Sequence, residues 1–283
     1  MLSRFEYFKP HNLSEAVQFL EKETNSYVLA GGTDLMILLR RNLINAEHIV
    51  DIKSLPETAA FDYVEGTGLT IGAAVVVNRV VDSEVVKVKY PALNQAAASL
   101  ASYQLRNRAT VVGNICNASP GADLPPSLLV YEAVVNIAGP QGVRQVPLHQ
   151  FFTGVKRTVL QPGELVVSVQ LPEPGAGDKS IYLRQARLKG HDLATVGVAS
   201  RIKPDGKVAI GICAVAPTPL RLFALEDNIN ARGLSQESIE WAADEIKEHI
   251  RPISDVRSSA AYRLQMASAL LKRGLLNLIS KED

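Results

Sequence analysis

Apolar positions along the chain follow two rhythms, a helical one of about 3.6 residues and a strand-like one, and the changes of rhythm mark the elements. After an extended start at 5–10, Asn12 and Ser14 offer caps for a helix whose apolar face is Ala16, Val17, Phe19 and Leu20. A strand at 27–30 then breaks into Gly31 and Gly32. Helical rhythm returns with Leu35, Met36, Leu38 and Leu39 and runs to about Asn42, with Arg40 and Arg41 placed against the C-terminal dipole. A second strand at 48–52 completes a small β-α-β unit in the first 55 residues, whose parallel pairing uses the helix as crossover.

From 61 to 77 the pattern changes to short strands punctuated by Gly66, Gly68 and Gly72, which predicts a hairpin. Leu93, Ala97 and Leu100 keep helical register within 90–103. The stretch 104–123, Q-L-R-N-R-A-T-V-V-G-N-I-C-N-A-S-P-G-A-D, is too rich in Asn, Gly, Ser and Pro for a regular element, yet apolar at Val111, Val112 and Ile115. It reads as a long ordered loop, a kind more often functional than not. A helix at 125–132 and strands at 134–138, 143–147 and 165–171 complete a mixed second lobe. P-E-P-G-A-G-D at 172–178 is the best boundary. Beyond it, strands at 180–187, 195–203 and 207–214, the last two joined by a Pro204-Asp205-Gly206 turn, predict a three-stranded antiparallel sheet. Helices follow from about 219, with Ile239, Ala242, Ala243 and Ile246 on one face and a last helix at 258–276. The fold class is α+β: a two-lobed domain at 1–175, with lobes of about 1–55 and 56–175, and a C-terminal domain at 176–283.

Two glycine corners carry the candidate chemistry. In V-L-A-G-G-T-D-L at 28–35, the glycines permit positive φ and let a ligand lie against the backbone, while Thr33 or Asp34 caps the following helix. N–H groups and the helix dipole point outward together there, which suits phosphate. An ordinary turn is the competing reading, and the motif is neither G-x-G-x-x-G nor a P-loop. The second corner is 110–114. Two N–H nests converging on one ligand would hold both phosphates of a dinucleotide, with the Thr33, Thr110 and Ser119 hydroxyls as further donors.

Composition narrows the partners. The 283 residues are 47% hydrophobic and 21% charged, and 30 basic against 29 acidic residues leave a net charge of +1, so no nucleic acid or membrane partner is expected. With no signal-peptide pattern, a cytoplasmic protein is expected. Cys116 and Cys213 are far apart and the five histidines are scattered, so neither a metal site nor a protein-bound iron–sulfur cluster is expected. Cys116, without a neighbouring His or Lys, reads as a buried thiol. Arg184, Arg187, Lys189 and His191 form a basic cluster facing either phosphate or solvent, and Trp241 reads as packing.

L-A-G-G-T-D-L at 29–35, the whole of 104–123, R-Q-A-R at 184–187 and D-L-A at 192–194 resemble the flavin-carrying medium subunit of molybdenum hydroxylases, the xanthine dehydrogenase and aerobic carbon monoxide dehydrogenase type. The resemblance covers essentially the whole chain. It implies an FAD-dependent oxidoreductase subunit whose loops at 27–34 (Tyr27, Val28, Leu29, Ala30, Gly31, Gly32, Thr33, Asp34) and 110–114 (Thr110, Gly113, Asn114) clasp the FAD pyrophosphate. It also implies Asp123 near the adenosine end, Leu100 and Val166 packed on the cofactor, and Arg184 beside it. Tyr103, Gln104, Arg106 and Asn107 then lie near the flavin and a partner surface, or serve a helix C-terminus. The family pattern T-x-G-G-N is replaced by Thr110-Val111-Val112-Gly113-Asn114, and a β-branched residue at 112 would be strained if positive φ were required there.

No catalytic residue is expected in this chain. The resemblance implies a molybdopterin-binding large subunit, a small subunit carrying [2Fe–2S] clusters, and NAD or another electron acceptor. Two alternatives remain at this stage: a self-contained flavin reductase like that of peptidoglycan precursor synthesis, and a scaffold subunit that has lost FAD through Val112.

Overall fold

The computed structural model describes residues 4–188 and 192–280. The chain opens with β1 (Glu6–Phe8), α1 (Leu13–Lys22), β2 (Ser26–Leu29), α2 (Leu35–Arg40) and β3 (His48–Asp51). Asn12 caps α1 through its side chain, which accepts from the Glu15 N–H. β2 and β3 pair in parallel across α2 as expected, and the extended start adds β1 on the other edge, giving the order β1-β3-β2. The central strand is the most buried, with Ile49 and Val50 in contact with packing on both faces.

The second lobe runs through α3 (Pro56–Ala59), β4 (Phe61–Val64), β5 (Gly68–Gly72), α4 (Val77–Asp82), α5 (Glu84–Lys89), α6 (Pro91–Ser99), α7 (Tyr103–Arg106), α8 (Val111–Cys116) and α9 (Leu124–Val130). It continues through β6 (Val134–Gly139), β7 (Gly142–Pro147), α10 (Leu148–Phe151), β8 (Phe152–Gly154), β9 (Arg157–Thr158) and β10 (Leu165–Pro172). Its antiparallel sheet has the order β4-β5-β10-β6-β7, so the strand farthest along the sequence lies at the centre. The stretch 104–123 differs from the loop expected: α7 and α8 lie within or across it, each started by a hydroxyl cap, Ser102 for α7 and Thr110 for α8. One continuous core joins Ala16, Val17, Val50 and Ile52 of the first lobe to Leu69, Ile71, Val135 and Val169 of the second.

The C-terminal sheet comprises β11 (Lys179–Gln185), β12 (Val196–Ile202), β13 (Val208–Cys213) and β14 (Leu220–Arg221), antiparallel in that order. It has four strands rather than the three expected, because the chain after Pro219 pairs briefly with β13 before turning helical. The Pro204-Asp205-Gly206 turn is present, closed by the Gly206 N–H donating to the Lys203 carbonyl at 2.8 Å. Three helices, α11 (Phe223–Arg232), α12 (Gln236–His249) and α13 (Ala260–Ile279), follow the sheet. They bury Ile239, Ala242, Ile246, Leu271 and Leu275 with Val196, Val198, Ile210 and Ile212. Trp241 packs at this core's margin, with the Arg232 guanidinium 4.1 Å above its ring.

The sheet's other face meets α9 and α6. Gly211 permits that approach, since a Cβ there would collide with the Pro126 carbonyl. α9 is also gripped at both ends by strand residues: Arg184 reaches Asp123 at its start, while Arg201 and Arg221 donate to the Val130 and Leu129 carbonyls at its end, at 2.9 and 2.8 Å. The C-terminal sheet thereby fixes the helix that carries Asp123 to the site.

Candidate functional site

A cavity of about 800 Å³ opens between the β2–α2 corner, the segment after α6, α8, the start of α9, the β8–β9 turn and β10. The expected residues of the first loop line it, except Leu29, which turns into the small core with Leu39, Ala46 and Ile49. Leu100, Thr110, Gly113, Asn114, Ser119, Asp123 and Val166 line it as well. Residues 80 or more positions apart in sequence are thus brought to one wall. Arg184 does not line the cavity; it pairs with Asp123 from behind.

The two glycines of the first corner differ. Gly32 has φ +72°, the left-handed conformation expected. Gly31 does not, and its missing side chain serves a close approach instead: a Cβ would collide with the Arg108 carbonyl. That contact presses the corner against the segment entering α8. Asp34 starts α2 without capping it through its side chain, and its carboxylate accepts from Asn117 Nδ2 at 2.9 Å. Among the described residues, the N–H groups of Gly31, Gly32, Thr33 and Asp34 donate to no protein acceptor. Such a row of unspent donors at a cavity wall fits an anionic group.

The second corner departs from a nest. Thr110 Oγ1 accepts from the Gly113 N–H at 3.0 Å, so that donor is spent on capping α8. Val112 is helical, 3% exposed and outside the positive-φ set, so the strain expected there is absent. Asn114 Oδ1 is buried with no hydrogen-bond partner, although Asn114 lines the cavity. An unpartnered amide oxygen in the same cavity lining as the unspent N–H groups fits a polar ligand that brings both acceptors and donors, as a dinucleotide does.

The wall's charges are mostly neutralised from behind. Asp123 is 5% exposed and accepts from Tyr182 Oη at 2.7 Å and from Arg184 at 3.1 Å; burial pushes its carboxyl up, opposed by Arg184 and Tyr182. Arg144 forms a two-pronged pair with Glu164 and holds that carboxyl below its ordinary range. Arg187 holds Asp192 down to about 2. The basic cluster is therefore engaged at Arg184 and Arg187, while Lys189 and His191 lie outside the described residues. Burial pushes the Cys116 thiol up to about 12, which keeps it protonated at neutral pH. No group of metal-ligating side chains occurs among the described residues, and no helix among them is long and apolar enough to cross a membrane.

Arg106 serves its own segment. It donates to the Ala98, Leu100 and Ala101 carbonyls at 3.1, 2.9 and 3.4 Å and to Asn78 at 2.9 Å. It so fixes the turn in which Ala101, at φ +47°, presents Leu100 to the cavity. Tyr103 stays 58% exposed on the adjoining surface. Sequence reading missed Asn117, Lys156, Leu160 and Glu164, which enter from the end of α8 and from the β8–β10 region without a local motif.

Residues 3–174 match the family described as the FAD binding domain in molybdopterin dehydrogenase, and residues 181–278 match the CO dehydrogenase flavoprotein C-terminal domain. The carbon monoxide dehydrogenase medium chain of Hydrogenophaga pseudoflava is 33% identical over 277 residues, covering 96% of each chain. The xanthine dehydrogenase FAD-binding subunit of Escherichia coli O157:H7 is 31% identical over 274 residues, covering 94% of this chain and 93% of the other. The solved carbon monoxide dehydrogenase of Hydrogenophaga pseudoflava, in a form lacking the Mo-pyranopterin moiety, has a chain that aligns with a TM-score of 0.93 at 33% identity, covering 99% of both.

Proposed function

Since the chain belongs to the molybdopterin dehydrogenase FAD-binding family, we propose that it is the FAD-carrying subunit of a molybdenum hydroxylase complex and passes electrons from a partner's [2Fe–2S] clusters to NAD or another acceptor. One observation supports this placement of the cofactor: residues 31–34, whose N–H groups are unspent, line the cavity that Asn114, Leu100 and Val166 also line. Bound FAD supplies a centre able to take up electrons singly and release them singly or in pairs. The chain binds and orients it. The residues at 27–34, without Leu29, and Thr110, Asn114 and Ser119 would surround its polar middle, and Leu100 and Val166 would pack on its rings. Gly113 contributes by leaving room rather than by its N–H, and Asp123 acts as a carboxylate held in place by Arg184.

The two domains divide near residue 175 in this reading. The partners are a molybdopterin-binding large subunit and a small [2Fe–2S] subunit, because two distant cysteines cannot ligate a cluster and the described residues form no metal site. The test is copurification from the native source followed by reconstitution. Recovery with a molybdopterin subunit and an iron–sulfur subunit, flavin reduced only when both are present, is the expected result; hydroxylation of a purine or aldehyde by this polypeptide alone contradicts it. A scaffold that has lost FAD is disfavoured, since its premise was strain at Val112 and the helical backbone there carries none.

A further inference from the structure

The cavity wall bears four carboxylates, Asp34, Asp123, Glu164 and Asp192, and among the described lining residues a single cation, Lys156. Three of the carboxylates have an arginine partner: Arg184 for Asp123, Arg144 for Glu164 and Arg187 for Asp192. Lys156 has no carboxylate within ion-pair distance among the described residues. Its ammonium donates to Asn117 Oδ1 at 2.7 Å, and Asn117 Nδ2 in turn donates to Asp34 Oδ1 at 2.9 Å. The polar chain therefore runs from the β8–β9 turn, over the end of α8, to the corner whose N–H groups are unspent.

The turn itself is anchored. Lys156 sits at φ +58°, and its N–H donates to the Ala118 carbonyl at 2.9 Å. A left-handed backbone at a non-glycine residue is strained, and here that strain places a long cationic side chain beside the cavity. The demand for charge is evident from the rest of the wall: a pyrophosphate brings two negative charges to a surface of carboxylates, and the Gly113 donor is already spent on Thr110.

We propose that Lys156 is a phosphate-binding residue of the cofactor site, supplying through its ammonium the one uncompensated positive charge that the described residues bring to the cavity wall, with Asn117 as its positioning residue. This rests on the FAD reading. Asn117 holds the ammonium toward the glycine corner and keeps the Asp34 carboxylate occupied by an amide, which lowers its repulsion of an incoming anion.

The test is titration of the full-length apoprotein with FAD, followed by flavin fluorescence, at low and at high ionic strength, for the wild type, Lys156→Gln and Lys156→Arg. Lys156→Gln keeps the left-handed position and a donor to Asn117 while removing the charge, so the apoprotein should melt at the wild-type temperature. Loss of a charge-assisted phosphate contact predicts an FAD affinity about tenfold weaker at low ionic strength, the gap narrowing as salt rises. Lys156→Arg should retain wild-type affinity. ADP, which presents the pyrophosphate without the flavin, should lose affinity for the Gln variant in parallel. Equal affinities and equal salt dependence for wild type and Lys156→Gln overturn the proposal, as does a loss confined to FAD and absent for ADP. Failure of the wild type itself to bind FAD overturns the cofactor reading instead.

Discussion

At position 112 a valine occupies the first turn of α8, 3% exposed among Leu124, Leu128 and their neighbours. The sequence suggested strain there because the family motif places glycine in the same register. The backbone is helical from Val111 onward, a fact that in T-V-V-G-N only Thr110, as a cap, could have announced. Val112→Gly should therefore destabilise the protein by about 2–3 kcal/mol, from lost burial and helix propensity, read as a lower denaturation midpoint. Gly32 is the opposite case, legible from its type alone. Gly32→Asp puts a side chain at φ +72° and a charge at the unspent N–H groups, so the purified variant should contain little or no FAD; a full flavin complement would refute the placement. Glu164, invisible in the sequence, gives a pH prediction. Its folded pKa is lowered by Arg144, so the pair stabilises above the ordinary glutamate pKa of about 4.3 and that contribution is lost as pH falls through the lower folded value. Arg144→Gln should cost on the order of 1 kcal/mol at neutral pH, the partly exposed arginine limiting the effect, and its stability should converge on the wild type's in acid.

Element by element, strong periodicity was readable and short pieces were not. The β-α-β unit, the hairpins and the long C-terminal helices carry enough apolar positions to declare their period. α7 and α8 do not: four and six residues give barely one to two turns, and Asn, Gly and Ser dominate their surroundings. Only Ser102 and Thr110 as caps could have announced them. β14, two residues long, was equally silent. The grip on α9 was beyond local pattern because its arginines lie 60 or more residues away along the chain. Arg201 is 6% exposed and pairs in two-pronged fashion with Asp178 while donating to Val130. Arg201→Met strands a buried carboxylate and should cost about 3–5 kcal/mol by chemical denaturation, and adding Asp178→Asn should recover part of the loss.

For the whole molecule, the paired loops and the family resemblance made most of the cavity's lining legible, while the charges around its wall were not. In sequence Arg184 and Arg187 face either phosphate or solvent, and Arg106 lies near the flavin or serves a helix C-terminus; folding engages each with carboxylates or carbonyls. Tyr103 stays exposed beside Arg106, so a partner-contact test belongs on Tyr103 rather than on Arg106. Arg106→Glu should consequently disorder the turn holding Leu100 and reduce both stability and flavin content, rather than slow electron transfer alone. The central claim, that this chain is a flavin carrier whose redox partners lie in other subunits, is tested most directly by titrating the isolated, folded apoprotein with FAD and assaying the product. Saturation at one FAD per chain, with no hydroxylase turnover until the molybdopterin and iron–sulfur subunits are added, is the result predicted; a folded chain that shows no saturable FAD binding would contradict it.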